Sequence, residues 1–94
     1  MNKVKYKDIT AFHPGYYIEQ IIEDMEITQE EFAALTGMST EIVNLLVRGE
    51  IDISKDIAEK LSYIYGMSVD VWLNIQSEYN RKLLKIQNKM QNNR

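Results

Sequence analysis

The sequence predicts an all-α bundle of five helices, and three features predict it. Apolar residues recur at helical spacing, Ser and Thr stand where helices need caps, and glycines stand where helices must stop. With 94 residues and 45% apolar content, the chain has the size of one domain with a modest core.

The elements follow in order. Residues 1–12 read as an N-terminal arm. Its "VKYK" alternates apolar and basic residues, the pattern of a short edge strand or a flexible segment. Ile18, Ile21, Ile22 and Met25 then share one helical face, and Pro14 suits that helix's first turn. Glu23, Asp24 and Glu26 oppose the dipole at its far end, so this helix should stop or fray near Met25–Ile27. Thr28 and Glu31 have the spacing of a capping box. They open a second helix with Phe32, Ala33 and Leu35 as core and Gly37 as its stop. Ser39 caps a third helix bearing Ile42, Val43, Leu45 and Leu46, which ends at Gly49. Ser54 caps a fourth with Ile57, Ala58, Leu61, Ile64 and Tyr65, stopped by Gly66. Ser68 caps a fifth, starting at Val69 and carrying Trp72 and Leu73. No Gly or Pro follows Gly66, so the fifth helix should run to about Met90, a length of ~33 Å at 1.5 Å per residue.

Charge is segregated. The net charge is -3, which argues mildly against nucleic acid as a partner. Residues 1–12 hold Lys3, Lys5 and Lys7 against Asp8. Residues 13–80 hold three bases against thirteen acids. Residues 81–94 hold Arg81, Lys82, Lys85, Lys89 and Arg94 and no acid, a basic helical extension.

Several functions are disfavoured. The chain has no cysteine, which excludes disulfides, thiolate metal sites and a cysteine nucleophile. His13 is the only histidine, and it reads as a helix-start or capping residue rather than a metal ligand. No catalytic constellation or phosphate-cradling glycine loop is present, so neither an enzyme nor a cofactor is expected. No apolar run reaches the ~20 residues that span a bilayer, and the start of the chain has no signal-peptide pattern. A soluble cytoplasmic protein with no membrane partner is the expectation.

Residues 28–48, "TQEEFAALTGMSTEIVNLLVR", meet the needs of a helix-turn-helix. Ala33 is small where a second helix must cross, Gly37 occupies the turn four residues later, and Val43 and Leu46 face the core. Any helix–Gly–helix hairpin is the plainer alternative. The stretch resembles the helix-turn-helix of the XRE (Cro/C1-like) family. Two flanking segments narrow the likeness: "HPGYYIEQIIEDMEITQEEFA" and "GMSVDVWLNIQSEYN" resemble the HigA-type antitoxin branch, so that the likeness covers residues 13–80.

That resemblance implies a lambda-repressor-like domain over residues 13–80, a homodimer, repression of its own operon, and neutralisation of a small mRNA-cleaving toxin. In this fold the third helix enters the major groove of double-stranded DNA. The implied contacts are Thr40, Glu41 and Asn44, with Ser39 at the cap, Gln29 bracing a phosphate and Arg48 reaching another. Asn44 can pair with adenine and Thr40 can meet a thymine methyl. Relatives often carry Arg, Gln or Lys where this chain has Thr40 and Glu41, and a carboxylate near phosphates is repelled. Dimerisation is expected through Trp72, Leu73, Gln76 and Tyr79. Beyond Tyr79, the series Leu83, Ile86, Met90 continues an apolar stripe that folds back as core, pairs with a second copy or meets the toxin. The toxins of this family are typically basic, which suits the acidic residues 13–31 better than the basic tail. Two other functions fit the residues: a stand-alone XRE-type regulator of phage or mobile-element origin, and an interaction module that has lost DNA binding.

Overall fold

The computed structural model describes residues 2–92, apart from the side chains of Tyr65 and Asn92. The Tyr65 side chain of the fourth helix's apolar series and Arg94 of the basic tail therefore lie outside what is described. Seven elements follow one another: β1 Lys3–Tyr6, β2 Ile9–Phe12, α1 Pro14–Met25, α2 Gln29–Thr36, α3 Thr40–Val47, α4 Lys55–Tyr65 and α5 Val69–Asn92. The five helices are those the sequence predicts. The arm is a finding of a different kind: it is an antiparallel hairpin with Lys3 opposite Phe12 and Tyr6 opposite Ile9.

Local chemistry explains most boundaries. Thr28 and Glu31 close their capping box with two 3.0 Å bonds, Glu31 N–H to the Thr28 hydroxyl and Thr28 N–H to the Glu31 carboxylate. Ser39, Ser54 and Ser68 accept from the N–H groups of Ile42, Ile57 and Val71. Gly37 ends α2 at φ 74, where any side chain is strained. The end of α1 is sharper than its acids suggest. Glu26 takes the left-handed conformation at φ 54, its N–H donates to the Glu23 carbonyl, and Ile27 N–H donates to the Ile22 carbonyl. That bonding satisfies the last carbonyls without a glycine.

The core gathers Ile18, Ile21, Phe32, Ala33, Val43, Leu46, Leu61 and Trp72. Leu35 is a correction: it is 54% exposed, and Thr36 takes the inward position. Phe32, Ala33 and Thr36 fall at i, i+1 and i+4, so they share the inner face of α2 and Leu35 falls outside it. The buried Thr36 hydroxyl donates to the Phe32 carbonyl at 2.9 Å, which satisfies it.

α5 stretches the molecule to 47 × 23 × 20 Å. Its apolar stripe beyond Tyr79 is not left bare for another chain. β2 packs on α5, and Ala11 and Ile86 are both buried. The protein's own hairpin covers the stripe, and only Met90, at the far end, stays 56% exposed. Among the described residues no helix is long and apolar enough to cross a membrane.

Candidate nucleic-acid interface

α2 and α3 meet across the Gly37 turn with Ala33, Val43 and Leu46 buried, as a helix-turn-helix requires. Thr40 and Glu41 stand exposed in the first turn of α3. Ser39 is exposed too, but its hydroxyl is the helix cap, 3.1 Å from Ile42 N–H. Glu41 lies where negative charge favours a helix start, so its carboxylate has a folding role in α3.

Gln29 and Asn44 are brought together from different helices. Asn44 Nδ2 donates to Gln29 Oε1 at 3.2 Å, and both side chains are half-buried. The bond leaves Asn44 one N–H and its carbonyl oxygen, the donor and acceptor that an adenine edge needs. It also leaves the Gln29 amide nitrogen free to donate to a phosphate. Arg48 sits at the other end of α3, where its Nε lies 3.4 Å from a Glu50 carboxylate oxygen. An exposed pair of this kind is weak.

The rear of the site is a polar seam that the sequence hid. His13 caps α1: Gly15 N–H donates to its Nδ1 at 2.9 Å, which leaves the ring proton on Nε2. Nε2 lies 4.0 Å from Asp52 Oδ1, and the ring meets the Tyr79 ring edge-on at 5.1 Å. Burial lowers the His13 pKa, opposed by the Ile51 carbonyl and the Asp52 carboxylate. Tyr79 is pushed up by burial and then by Asp52. Gln76 accepts from Ile53 N–H at 2.8 Å and donates to Asp52 and Asn80. The Gln76 bonds tie the loop after α3 to the middle of α5, and His13 at the start of α1 lies beside the same loop without a hydrogen bond from Nε2 to any of the described residues.

Gly15 explains the rest of the "HPG" start. A Cβ there would lie 1.8 Å from the Leu46 carbonyl oxygen, so α1 touches the backbone of α3 and only glycine fits. The spacing of the sequence shows a cap and a first turn; it does not show this contact, which joins residues far apart in the chain.

Two of the four expected dimer contacts are corrected by this packing. Trp72 is 0% exposed and Gln76 is 6% exposed within the single chain. Trp72 is core, and the Gln76 amide is spent on Ile53, Asp52 and Asn80, so neither offers surface to a partner. Leu73 and Tyr79 are half-buried and keep some. Tyr79 joins Phe12, Tyr17, Ile75, Glu78 and Lys82 around a shallow hollow of about 100 Å³.

Comparison with known proteins agrees with this geometry. The helix-turn-helix family model matches residues 18–72. A regulator of Escherichia coli (strain K12), the HTH-type transcriptional regulator YddM, is 27% identical over 66 residues, which is 70% of either chain. A Nostoc punctiforme protein described as an antidote of a plasmid maintenance system is 28% identical with a TM-score of 0.81, over 88% of this chain and 91% of that one. The Pseudomonas aeruginosa antitoxin HigA, solved with the higBA promoter, is 29% identical with a TM-score of 0.77, over 86% and 89% of the two chains. The chain belongs to the XRE-type helix-turn-helix family, and its structural neighbours are HigA-family antitoxins of plasmid-maintenance and addiction modules.

Proposed function

We propose that this protein is the antitoxin of a HigBA-like toxin–antitoxin pair, acting by binding rather than by catalysis. As a homodimer it represses its own operon through the α2–α3 face, and it neutralises a small mRNA-cleaving toxin. The observation that carries the reading is the likeness to an antitoxin solved with its promoter, over 86% of this chain. The pairing of Gln29 with Asn44 beside exposed Thr40 and Glu41 supports the DNA half. Two-fold pairing of the chain would present two α3 helices to successive major grooves.

The test is titration of the protein's own promoter followed by fluorescence anisotropy, beside a random duplex of equal length. Tighter binding to the promoter, reduced by Asn44→Ala, is the expected result. Equal affinity for the two duplexes would remove the repressor function. The toxin half is tested by co-expression with whichever small basic reading frame adjoins this gene: growth arrest by that frame alone, relieved by this protein, is expected, and the lack of any such frame would remove the toxin half. The E. coli regulator favours one alternative, a stand-alone regulator; promoter binding without relief of any neighbour's toxicity would establish it.

A further inference from the structure

We propose that the hairpin and the second half of α5 form a sequence-independent grip for a nucleic-acid phosphate backbone, separate from α3. The fold brings together basic segments that lie at opposite ends of the chain. β1 pairs with β2, and β2 packs on α5. Lys3 stands opposite Phe12 in the ladder, and Phe12 lines the same hollow as Lys82. On β1, Val4 and Tyr6 are half-buried while Lys3 and Lys5 are exposed, so the lysines take the outer face. On α5, Lys82, Lys85 and Lys89 are spaced by three and four residues, along one side of the helix.

The charge of this end is uncompensated. Residues 2–12 and 78–92 hold seven bases, with only Asp8 and Glu78 as acids, and Glu78 is already paired with Arg81. None of Lys3, Lys5, Lys82, Lys85 and Lys89 has an ion-pair partner among the described residues. Residues 13–77 carry twelve acids against three bases. The molecule is therefore electrically polarised, and its positive end is not the α3 face. That face has only Arg48 as a base, and it lies beside Glu50.

The occupant follows from what this end can offer. β2 packs on α5 and Ile86 is buried, and the two large apolar side chains left exposed on this half of α5, Leu84 and Met90, are six positions apart and do not share one helical stripe, so this end offers no continuous apolar centre for a protein interface or an acyl-chain surface. Rows of hydrated ammonium groups remain, which suit phosphates and gain affinity by counterion release. The patch also begins at the DNA-reading unit. Asn2 Nδ2 donates to the Val47 carbonyl at the end of α3 and to Glu19, both at 3.1 Å, and Lys3 follows directly. The grip supplies the non-specific affinity that an acidic α2–α3 unit lacks.

Two variants separate this grip from the α3 face: Thr40→Ala with Asn44→Ala, and Lys3→Gln, Lys5→Gln, Lys85→Gln, Lys89→Gln together. All four lysines are exposed, so an unchanged thermal melt by circular dichroism is expected for the second variant. Affinity for a short random-sequence duplex is measured from about 50 to 200 mM salt. The α3 variant should keep the wild-type affinity and salt slope. The lysine variant should lose more than tenfold in affinity at the low-salt end. Its slope of log affinity against log salt should flatten by about 0.9 for each lysine that meets a phosphate, which is about 2 for two contacts and about 3.6 for all four. An unchanged slope in the lysine variant overturns the grip, and so does loss of random-duplex binding in the α3 variant. Phosphatidylserine-containing vesicles that bind the wild type while the duplex does not would also overturn it, in favour of a membrane surface.

Discussion

The α2–α3 unit and the hairpin–α5 end are assembled by opposite means. The first is held mostly by bonds between residues three or four apart, Thr28 with Glu31, Ser39 with Ile42 and Thr36 with Phe32, and its longest bond, Asn44 to Gln29, spans only fifteen positions. The second joins residues about seventy positions apart, and no local rule in the sequence announces it. The two ends also differ in charge, since the reading helix carries Glu41 while the hairpin and α5 carry the lysines. A local unit can be sequence-specific in geometry while a distant surface supplies the general attraction for DNA.

The largest way to break this arrangement is at the core they share. Trp72→Ala removes a fully buried ring, so a loss of about 3–5 kcal/mol in urea unfolding is expected, with both regions unfolding together. A soluble, fully stable monomer from that variant would show that Trp72 serves a dimer seam after all. Gly15→Ala comes next. Its methyl group would meet the backbone of α3 rather than a movable side chain, and a loss of about 3 kcal/mol is expected, the upper part of the overpacking range. A melting temperature within a degree or so of wild type would contradict the close approach.

Thr28→Ala touches only the local unit. It should cost about 1 kcal/mol through the lost cap, measurable by thermal melting, and leave hairpin packing alone. The seam between the two regions is tested by pH. His13 is neutral when it accepts from Gly15 N–H, and burial holds its pKa below the ordinary value. Between pH values near its folded pKa and about 6.5 the unfolded chain binds the extra proton, so stability is full above about 6.5 and falls as the pH drops. His13→Asn keeps a capping acceptor and removes the titration; its stability should be flatter across that window. The smallest expected effect is at the DNA face. Glu41→Gln should tighten promoter binding by about two- to fivefold at low salt, the size of an exposed charge interaction, with the fold intact. Unchanged affinity would mean that Glu41 does not face the duplex.

Much of the helix-turn-helix was legible in the sequence because its signals are short-range. A Thr-x-x-Glu box and a Ser at a helix start act on N–H groups within one turn, and Gly37 acts on its own dihedral angle. The α3 residues could be placed for the same reason, since the register of one short helix fixes which side chains share a face. What was not legible was where those faces meet. Leu35 and Trp72 show the difficulty from both sides. Each is a large apolar residue on a predicted helix, yet Leu35 is exposed and Trp72 is enclosed. Periodicity ranks residues by face, and only packing decides which face the neighbouring elements cover.

By itself, the sequence determined the five helices, their caps and stops, the Ala33–Gly37–Val43–Leu46 crossing and the separation of charge along the chain. The helices, caps and stops follow from hydrogen bonds and dihedral preferences within a few residues, the crossing from residue size and apolar spacing across one short turn, and the charge separation from the residues themselves. The tertiary structure alone decided that residues 3–12 fold as a hairpin whose second strand packs on α5, that Gln76 and His13 both approach Asp52, and that Gly15 lies against Leu46. Those outcomes depend on which distant segments exclude water from one another, and hydrophobic burial is non-directional, so it leaves no fixed spacing in the chain to be read.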